Sequence, residues 1–205
     1  CKEYGPAEKL VIEEVPSPEV KGRGVKVRVK AAGLNFPDTL IIENKYQLKP
    51  SLPFSPGGEM AGEVIEVGDK VTRFKVGDRV AGLTGYGAFA EEVIVPEQNL
   101  LPVPDGMSDE KAAAFTMVYG TSYYALKQRG NLQPGESLLV LGASGGVGLA
   151  TVELGKAMGA KVIAAASSAE KLAVAKEAGA DELINYAEEP LKDAVKKLTH
   201  CKGVD

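Results

Sequence analysis

The chain has 205 residues, 44% of them hydrophobic, and a formal net charge of -4, which suits one large folded domain or two small ones. That acidic balance argues against a nucleic-acid or anionic-membrane surface, which needs a basic field, and no uninterrupted apolar run reaches the roughly 20 residues of a membrane-inserted helix. The expected partner is a small molecule, and Cys1 and Cys201, the only cysteines, are too few for a disulfide framework and fit a reducing compartment, here taken as the cytoplasm.

From Leu10 to about Pro104 the chain is punctuated by Gly and Pro and carries short alternating runs, "VKVRVKAA" at 25 to 32 and "AEEVIVP" at 90 to 96, the pattern of half-buried strands. Residues 63 to 83 read as two or three short strands with tight turns at Gly68-Asp69 and Gly77-Asp78. Together they predict a small curled barrel, interrupted by a helix over 37 to 46. From Ser108 the pattern changes. Ser108 is a candidate N-cap with acids in the first turn behind it, and a helical stretch from Thr121 stops at Gly130.

Strands and helices then alternate. Strands are expected at 138 to 141, 162 to 166 and 182 to 185. Helices are expected at 145 to 158, with Val147, Thr151, Leu154 and Met158 on one stripe, at 170 to 178 and at 188 to 198. Crossovers that each carry a helix predict parallel strands. The chain opens on Cys1 and closes on "KGVD" without a following element, so a fragment of a longer chain is expected.

The run "LGASGGVGLA" joins the first of these strands to its helix. A helix N-terminus leaves its first amides without acceptors and turns the positive end of its dipole outward, so it can hold an anion. Gly145 allows close approach of a pyrophosphate, and Gly148, one turn later, allows the helix to pack tightly on the strand. Ala143 stands where the first glycine of a GxGxxG string is usual, and glycines also cluster at ordinary turns. The flanking strand, amphipathic helix and second strand are the context that favours a dinucleotide.

At the end of the second strand, where NAD-preferring units carry an acid, the sequence has Ala166-Ser167-Ser168. Hydroxyls beside Lys171 suit a 2'-phosphate better than a carboxylate does, which favours NADPH. Two alternatives stay open: Lys171 as a solvated helix-face lysine, and the serines as caps of the next helix.

The ordered set "AAGLNFPD", "PFSPGGEMAGEV", "VGDRVAG", "GAFAEEV" and "GASGGVGLA" resembles the zinc-independent branch of the medium-chain dehydrogenase/reductases, the zeta-crystallin-like NADPH:quinone oxidoreductases. The resemblance runs through nearly the whole chain. It implies an α/β protein with a GroES-like β-barrel domain over 1 to 107, on the substrate side, and a Rossmann-type parallel α/β domain over 108 to 205, incomplete in this chain. It further implies that the nicotinamide binds in the cleft between the domains and that the full-length form pairs as a homodimer.

Site residues follow from the same resemblance. Ser144, Gly145, Gly146 and Val147 match the pyrophosphate turn, while Ser167, Lys171 and Tyr186 match positions around the adenosine 2'-phosphate. Asn35 and Thr121 match positions near the nicotinamide. Taken alone, Asn35 reads as a turn residue, Thr121 as a helix cap and Tyr186 as a core aromatic.

Zinc-dependent relatives place Cys at the position of Asn35 and His at that of Gly58, so no metal is expected; two cysteines and the single His200 supply no tetrahedral N/S set. His200 reads as a surface residue. The implied activity is hydride transfer from NADPH to a quinone or enone acceptor, whose developing oxyanion needs a donor rather than a strong base. Asn35 and Tyr46 are the candidates for that catalytic polar group, with Tyr46 equally readable as a packing aromatic. The alternative function is an NADPH-binding structural or regulatory protein with little turnover.

Overall fold

The computed structural model describes all 205 residues, and they form two compact units, Cys1–Met117 and Val118–Asp205, each with its own apolar core. No helix is long and apolar enough to cross a membrane.

In the first unit, strands β1 (Gly24–Gly33), β2 (Glu59–Val67), β3 (Arg79–Leu83), β4 (Glu92–Pro96) and β5 (Leu100–Pro102) form an antiparallel sheet in the order β4-β1-β2-β3-β5. Alternation along the strands sends Val25, Val27, Val64, Val80 and Val95 into one core, all completely buried. The stretch 63 to 83 holds two strands, within the expected two or three, but they are joined by a long connection instead of a tight turn. The cause is Glu97. Its buried carboxylate accepts from the backbone N–H groups of Thr72 (2.9 Å) and Arg73 (3.0 Å) and from the Arg23 guanidinium (2.6 Å), so residues 69 to 76 satisfy part of their backbone without a strand partner.

Helix α1 spans Phe36–Ile42 and stops short of the expected residue 46. Asn44 adopts a left-handed φ of 58°, a conformation that a short amide side chain tolerates and that ends a helix. Helix α2, Asp109–Ala113, begins at Ser108, whose hydroxyl accepts from the Lys111 N–H. Its Ala112 and Ala113 pack with Ala61 and Ala81. The change of sequence pattern at 107/108 therefore precedes the division between compact units at 117/118 by one small helix.

In the second unit, β6 (Ser137–Leu141), β7 (Lys161–Ala166) and β8 (Glu182–Asn185) form a parallel sheet in that order, as the alternating pattern predicts. Helices α4 (Gly146–Ala157) and α5 (Ala169–Glu177) supply the two crossovers, and α6 (Leu191–Leu198) follows β8. Val162 and Ala164 of β7 join a core with Val152 of α4 and Ala175 of α5, while Ile163 and Ala165 join another with Ala194 of α6. The sheet thus has helices on both faces, which explains why β7 is apolar at five successive positions.

Two sequence expectations change here. The helix before this sheet, α3 (Thr116–Tyr123), widens into a π-helical turn over Tyr124–Arg129, closed by Gly130 N–H on the Ala125 carbonyl at 2.7 Å. Gly130 keeps a right-handed backbone and Asn131 takes the positive φ. In α4 the buried residues are Gly148, Ala150, Val152 and Gly155; of the expected stripe, Leu154 and Met158 pack half-buried against the same core, Thr151 is half-buried and Val147 is exposed. Small residues let this helix lie close: a Cβ on Gly155 would meet Leu138 Cδ2 at 2.7 Å.

Candidate functional site

The glycine run forms the turn from β6 into α4. Gly142 takes φ +62° and Gly145 donates to the Gly142 carbonyl at 3.0 Å, after which Gly145 is the N-cap of α4 and its carbonyl accepts the Leu149 N–H at 2.8 Å. The amides of residues 146 to 148 therefore precede the first α-helical bond, as an anion site requires.

The glycines divide the work. A Cβ on Gly148 would sit 2.4 Å from the Gly142 carbonyl oxygen and 2.8 Å from Ala143 Cα, both backbone atoms that cannot move aside cheaply. One on Gly145 would meet nothing nearer than that oxygen at 3.5 Å. Gly148 is thus demanded by the close approach of α4 to the turn backbone at Gly142 and Ala143, whereas the surface at Gly145 is bare. Gly145, Gly146 and Val147 are exposed and Ser144 is half-buried.

Ser167 and Ser168 follow the end of β7 and take different roles. Ser168 caps α5, its hydroxyl accepting from the Lys171 N–H at 3.4 Å. Ser167 Oγ instead accepts from Lys171 Nζ at 3.1 Å, so hydroxyl and ammonium stand together at the carboxyl end of the strand, the ligand-facing end of open α/β sheets. Tyr186 follows β8; its N–H donates to the Ala166 carbonyl at 3.1 Å and its side chain is exposed. That exposure removes the core-aromatic alternative.

Beside the glycine turn, the buried Ser122 of α3 donates to the Val147 carbonyl at 3.0 Å and accepts from Thr151 Oγ1 at 3.0 Å. Tyr119, one turn earlier, donates to the Glu153 carboxylate, and that bond, reinforced by burial, pushes the phenol up to about 12. These bonds fasten α3 to the first turns of α4. Thr121 is exposed within α3 and is not a helix cap. Neither Ser122 nor Glu153 carries a motif. The role of Ser122 depends on contact with a segment 25 positions later.

Within the first unit, Asn35 is the N-cap of α1, and its N–H donates to the Asp38 carboxylate at 2.8 Å. Its side-chain Nδ2 donates to Glu59 Oε1 at 2.8 Å, and Glu59 Oε2 accepts the Met117 N–H at 2.8 Å. Burial raises the Asp38 carboxyl above its ordinary range, against the lowering effect of N–H bonds from Asn35, Gly58 and Gly57. Asp38 and Glu59 are both buried.

Tyr46, half-buried, packs on the cluster of Ile41, Ile42 and Phe54, which supports its packing role. His200 is exposed. The donors around Asn35 do not fit zinc: Gly58 offers no side chain, Glu59 is occupied at both oxygens, and no cysteine thiolate or imidazole accompanies them.

Comparison with known proteins agrees with this architecture. Residues 21–105 match the model of the alcohol dehydrogenase GroES-like domain, and residues 146–205 that of the zinc-binding dehydrogenase family. A quinone oxidoreductase-like protein 2 homolog of Nematostella vectensis is 47% identical over 208 residues, covering 100% of this chain and 56% of the relative. Among solved structures, Escherichia coli quinone oxidoreductase complexed with NADPH superposes with a TM-score of 0.93 at 36% identity, over 99% of this chain and 62% of that one.

An NAD-dependent alcohol dehydrogenase superposes with a TM-score of 0.93 at 33% identity, over 100% of this chain and 67% of that one. The chain spans little more than half the length of the curated relative it matches. With its GroES-like sheet, its parallel α/β unit and these relatives, the chain belongs to the medium-chain dehydrogenase/reductase family, among the proteins similar to quinone oxidoreductases.

Proposed function

We propose that the protein is an NADPH-dependent oxidoreductase that reduces quinones or related electron-poor conjugated carbonyl compounds without zinc. The observation that carries the cofactor assignment is the Ser167–Lys171 pair at the end of β7, a donor and a positive charge where an acid would favour NAD. Tyr186 flanks the same strand end. The turn Ser144 to Val147 would hold the pyrophosphate, and Asn35 and Thr121 the nicotinamide end. The relatives named as quinone oxidoreductases support the acceptor class.

When bound, the cofactor supplies a hydride; the protein binds, orients and excludes water. Zinc has no part in this reading, because the donors around Asn35 are an amide and carboxylates already engaged by N–H groups. Asn35 and Tyr46 remain the polar groups assigned to the acceptor. Residues 1 to 107 serve the substrate and 108 to 205 the cofactor, in a cytoplasmic protein that pairs as a homodimer in its full-length form.

The test is acceptor-dependent oxidation of NADPH by the intact protein across a panel of quinones and enones. Steady oxidation with at least one acceptor is expected. Tight NADPH binding without any acceptor-dependent oxidation would identify a binding protein instead.

A further inference from the structure

The glycine turn of the second unit is made of backbone, and a backbone site keeps its shape only as well as the helix behind it is held. The neighbour that holds α4 is α3. A Cβ on Gly146, the first residue of α4, would meet Val118 Cγ1 at 3.1 Å, so the two helices touch where α4 begins. Tyr119 donates to Glu153 further along α4. Ser122, 1% exposed, joins α3 to the first turn of α4.

A serine or threonine within a helix can satisfy its hydroxyl on the carbonyl four residues back. Thr151 does so, with Oγ1 2.6 Å from the Val147 carbonyl oxygen. Ser122 reaches to the other helix instead: its hydroxyl lies 3.0 Å from that same oxygen and 3.0 Å from Thr151 Oγ1. Each hydroxyl has one proton to give. Given to Val147 or to Thr151, the Ser122 proton ends on α4, and the helices stay joined. An apolar residue at 122 would be buried without desolvating a hydroxyl, so packing alone is a poor reason for the serine.

The consequence concerns spacing. Val147 belongs to the turn assigned to the pyrophosphate, and Thr121, adjacent to Ser122, is assigned to the nicotinamide end. Helix α3 is short, and at Tyr124 it passes directly into the π-helical turn. We propose that Ser122 is a positioning residue for the dinucleotide: by tying α3 to the first turn of α4 it fixes the spacing between Thr121 and the glycine turn, so that both ends of one NADPH molecule are met at once. Being buried, it acts through Thr121 and Val147 and not on the cofactor directly. This rests on the proposed function, specifically on Thr121 and the 144–147 turn as cofactor contacts.

The test compares a whole ligand with part of it. NADPH spans both contacts, whereas ADP-ribose 2'-phosphate carries the same adenosine, 2'-phosphate and pyrophosphate but ends before the nicotinamide. Dissociation constants for both are measured by titration calorimetry on the intact wild-type protein and on Ser122→Ala, Ser122→Cys and Thr151→Val, with the melting temperature of each. Ser122→Ala should weaken NADPH about fivefold, within the range of one hydrogen bond, and leave ADP-ribose 2'-phosphate unchanged. Ser122→Cys keeps a weaker donor in the same place and should fall between wild type and Ser122→Ala. In Thr151→Val the Ser122 proton still reaches the Val147 carbonyl, so NADPH affinity should stay within about twofold of wild type, although a hydroxyl has been lost from the same cluster.

Equal weakening of NADPH and ADP-ribose 2'-phosphate in Ser122→Ala would overturn the proposal, since Ser122 would then support the glycine turn alone. Unchanged affinity for both, or a Thr151→Val variant as weak for NADPH as Ser122→Ala, would overturn it too. A wild type that binds neither ligand is a separate outcome: it overturns the cofactor site itself, and the spacing role falls with it.

Discussion

The two units build their candidate sites from opposite materials. In the second, the site is backbone and exposed side chains: a turn opened by Gly142, bare at Gly145, with Ser167 and Lys171 at a strand end. In the first, it is a buried side-chain network in which Asp38 and Glu59 hold Asn35. The difference teaches where each site is vulnerable. Adding atoms breaks the backbone-built site through packing; changing the polarity of one buried atom breaks the side-chain network.

The largest expected effect contrasts two glycines three residues apart. Gly148→Ala places a Cβ against the backbone of Gly142 and Ala143 and should destabilise the second unit by about 3 kcal/mol, the upper range for overpacking. Gly145→Ala has room and should leave stability nearly unchanged while weakening dinucleotide binding. Denaturant unfolding and fluorescence titration of the cofactor measure the two quantities. Equal destabilisation by both would show that the turn is a packing device throughout.

In the first unit, Gly33→Ala is the counterpart. Its Cβ displaces the Glu59 carboxylate and presses on the Ala113 carbonyl at 2.9 Å, for an expected loss of about 1 to 2 kcal/mol. Unlike Gly148→Ala, it should also disturb Asn35, visible as a shifted side-chain amide signal. A stability loss without that shift would separate Gly33 from the network.

These contrasts explain what the sequence disclosed. The second unit was legible almost throughout, because a 3.6-residue period, apolar strands and a glycine string are local signals. Where reading fell short there, the signal was small side chains: Gly148 was legible as a packing glycine, but the buried face of α4 also includes Ala150, Val152 and Gly155, which lie off the stripe of Val147, Thr151, Leu154 and Met158. The π-helical turn at 124–129 carries no local mark.

In the first unit the strands were legible, but residues 69 to 76 were not, since the carboxylate that organises the loop comes from Glu97. Likewise the Asn35 network draws on positions 35, 38, 59 and 117, and its one visible trace was an acid at the head of the apolar run of β2.

The smallest predicted effects are in pH dependence, and their signs oppose. Burial raises the folded-state pKa of Asp38 above its ordinary 3.8, so it contributes most at low pH and that contribution is lost as pH rises through the raised value. For Asp181, burial also raises, but the Lys156 ammonium at 2.7 Å and the Val162 N–H at 2.7 Å outweigh it and leave the pKa lowered from 3.8. Its contribution is present above 3.8 and lost as pH falls through the lower value.

The Asp181 and Lys156 side chains are about one-third exposed, so the effect should stay below about 1 kcal/mol. Asp181→Asn should flatten acid unfolding of the second unit. Asp38→Asn should remove a gain in stability that the first unit otherwise shows on mild acidification. Residue-resolved hydrogen exchange between about pH 3 and 6 reads both, and slopes of the same sign would contradict the assignment of their causes.

The central claim is that the end of β7 selects a 2'-phosphate. Its most direct test is the ratio of NADH to NADPH dissociation constants, measured by fluorescence titration on the wild-type protein and on Lys171→Ala. The account predicts tighter binding of NADPH by the wild type and a loss of about tenfold for NADPH with little change for NADH, the scale of one charge-assisted contact. Equal losses for both cofactors, or a wild type that prefers NADH, would contradict it.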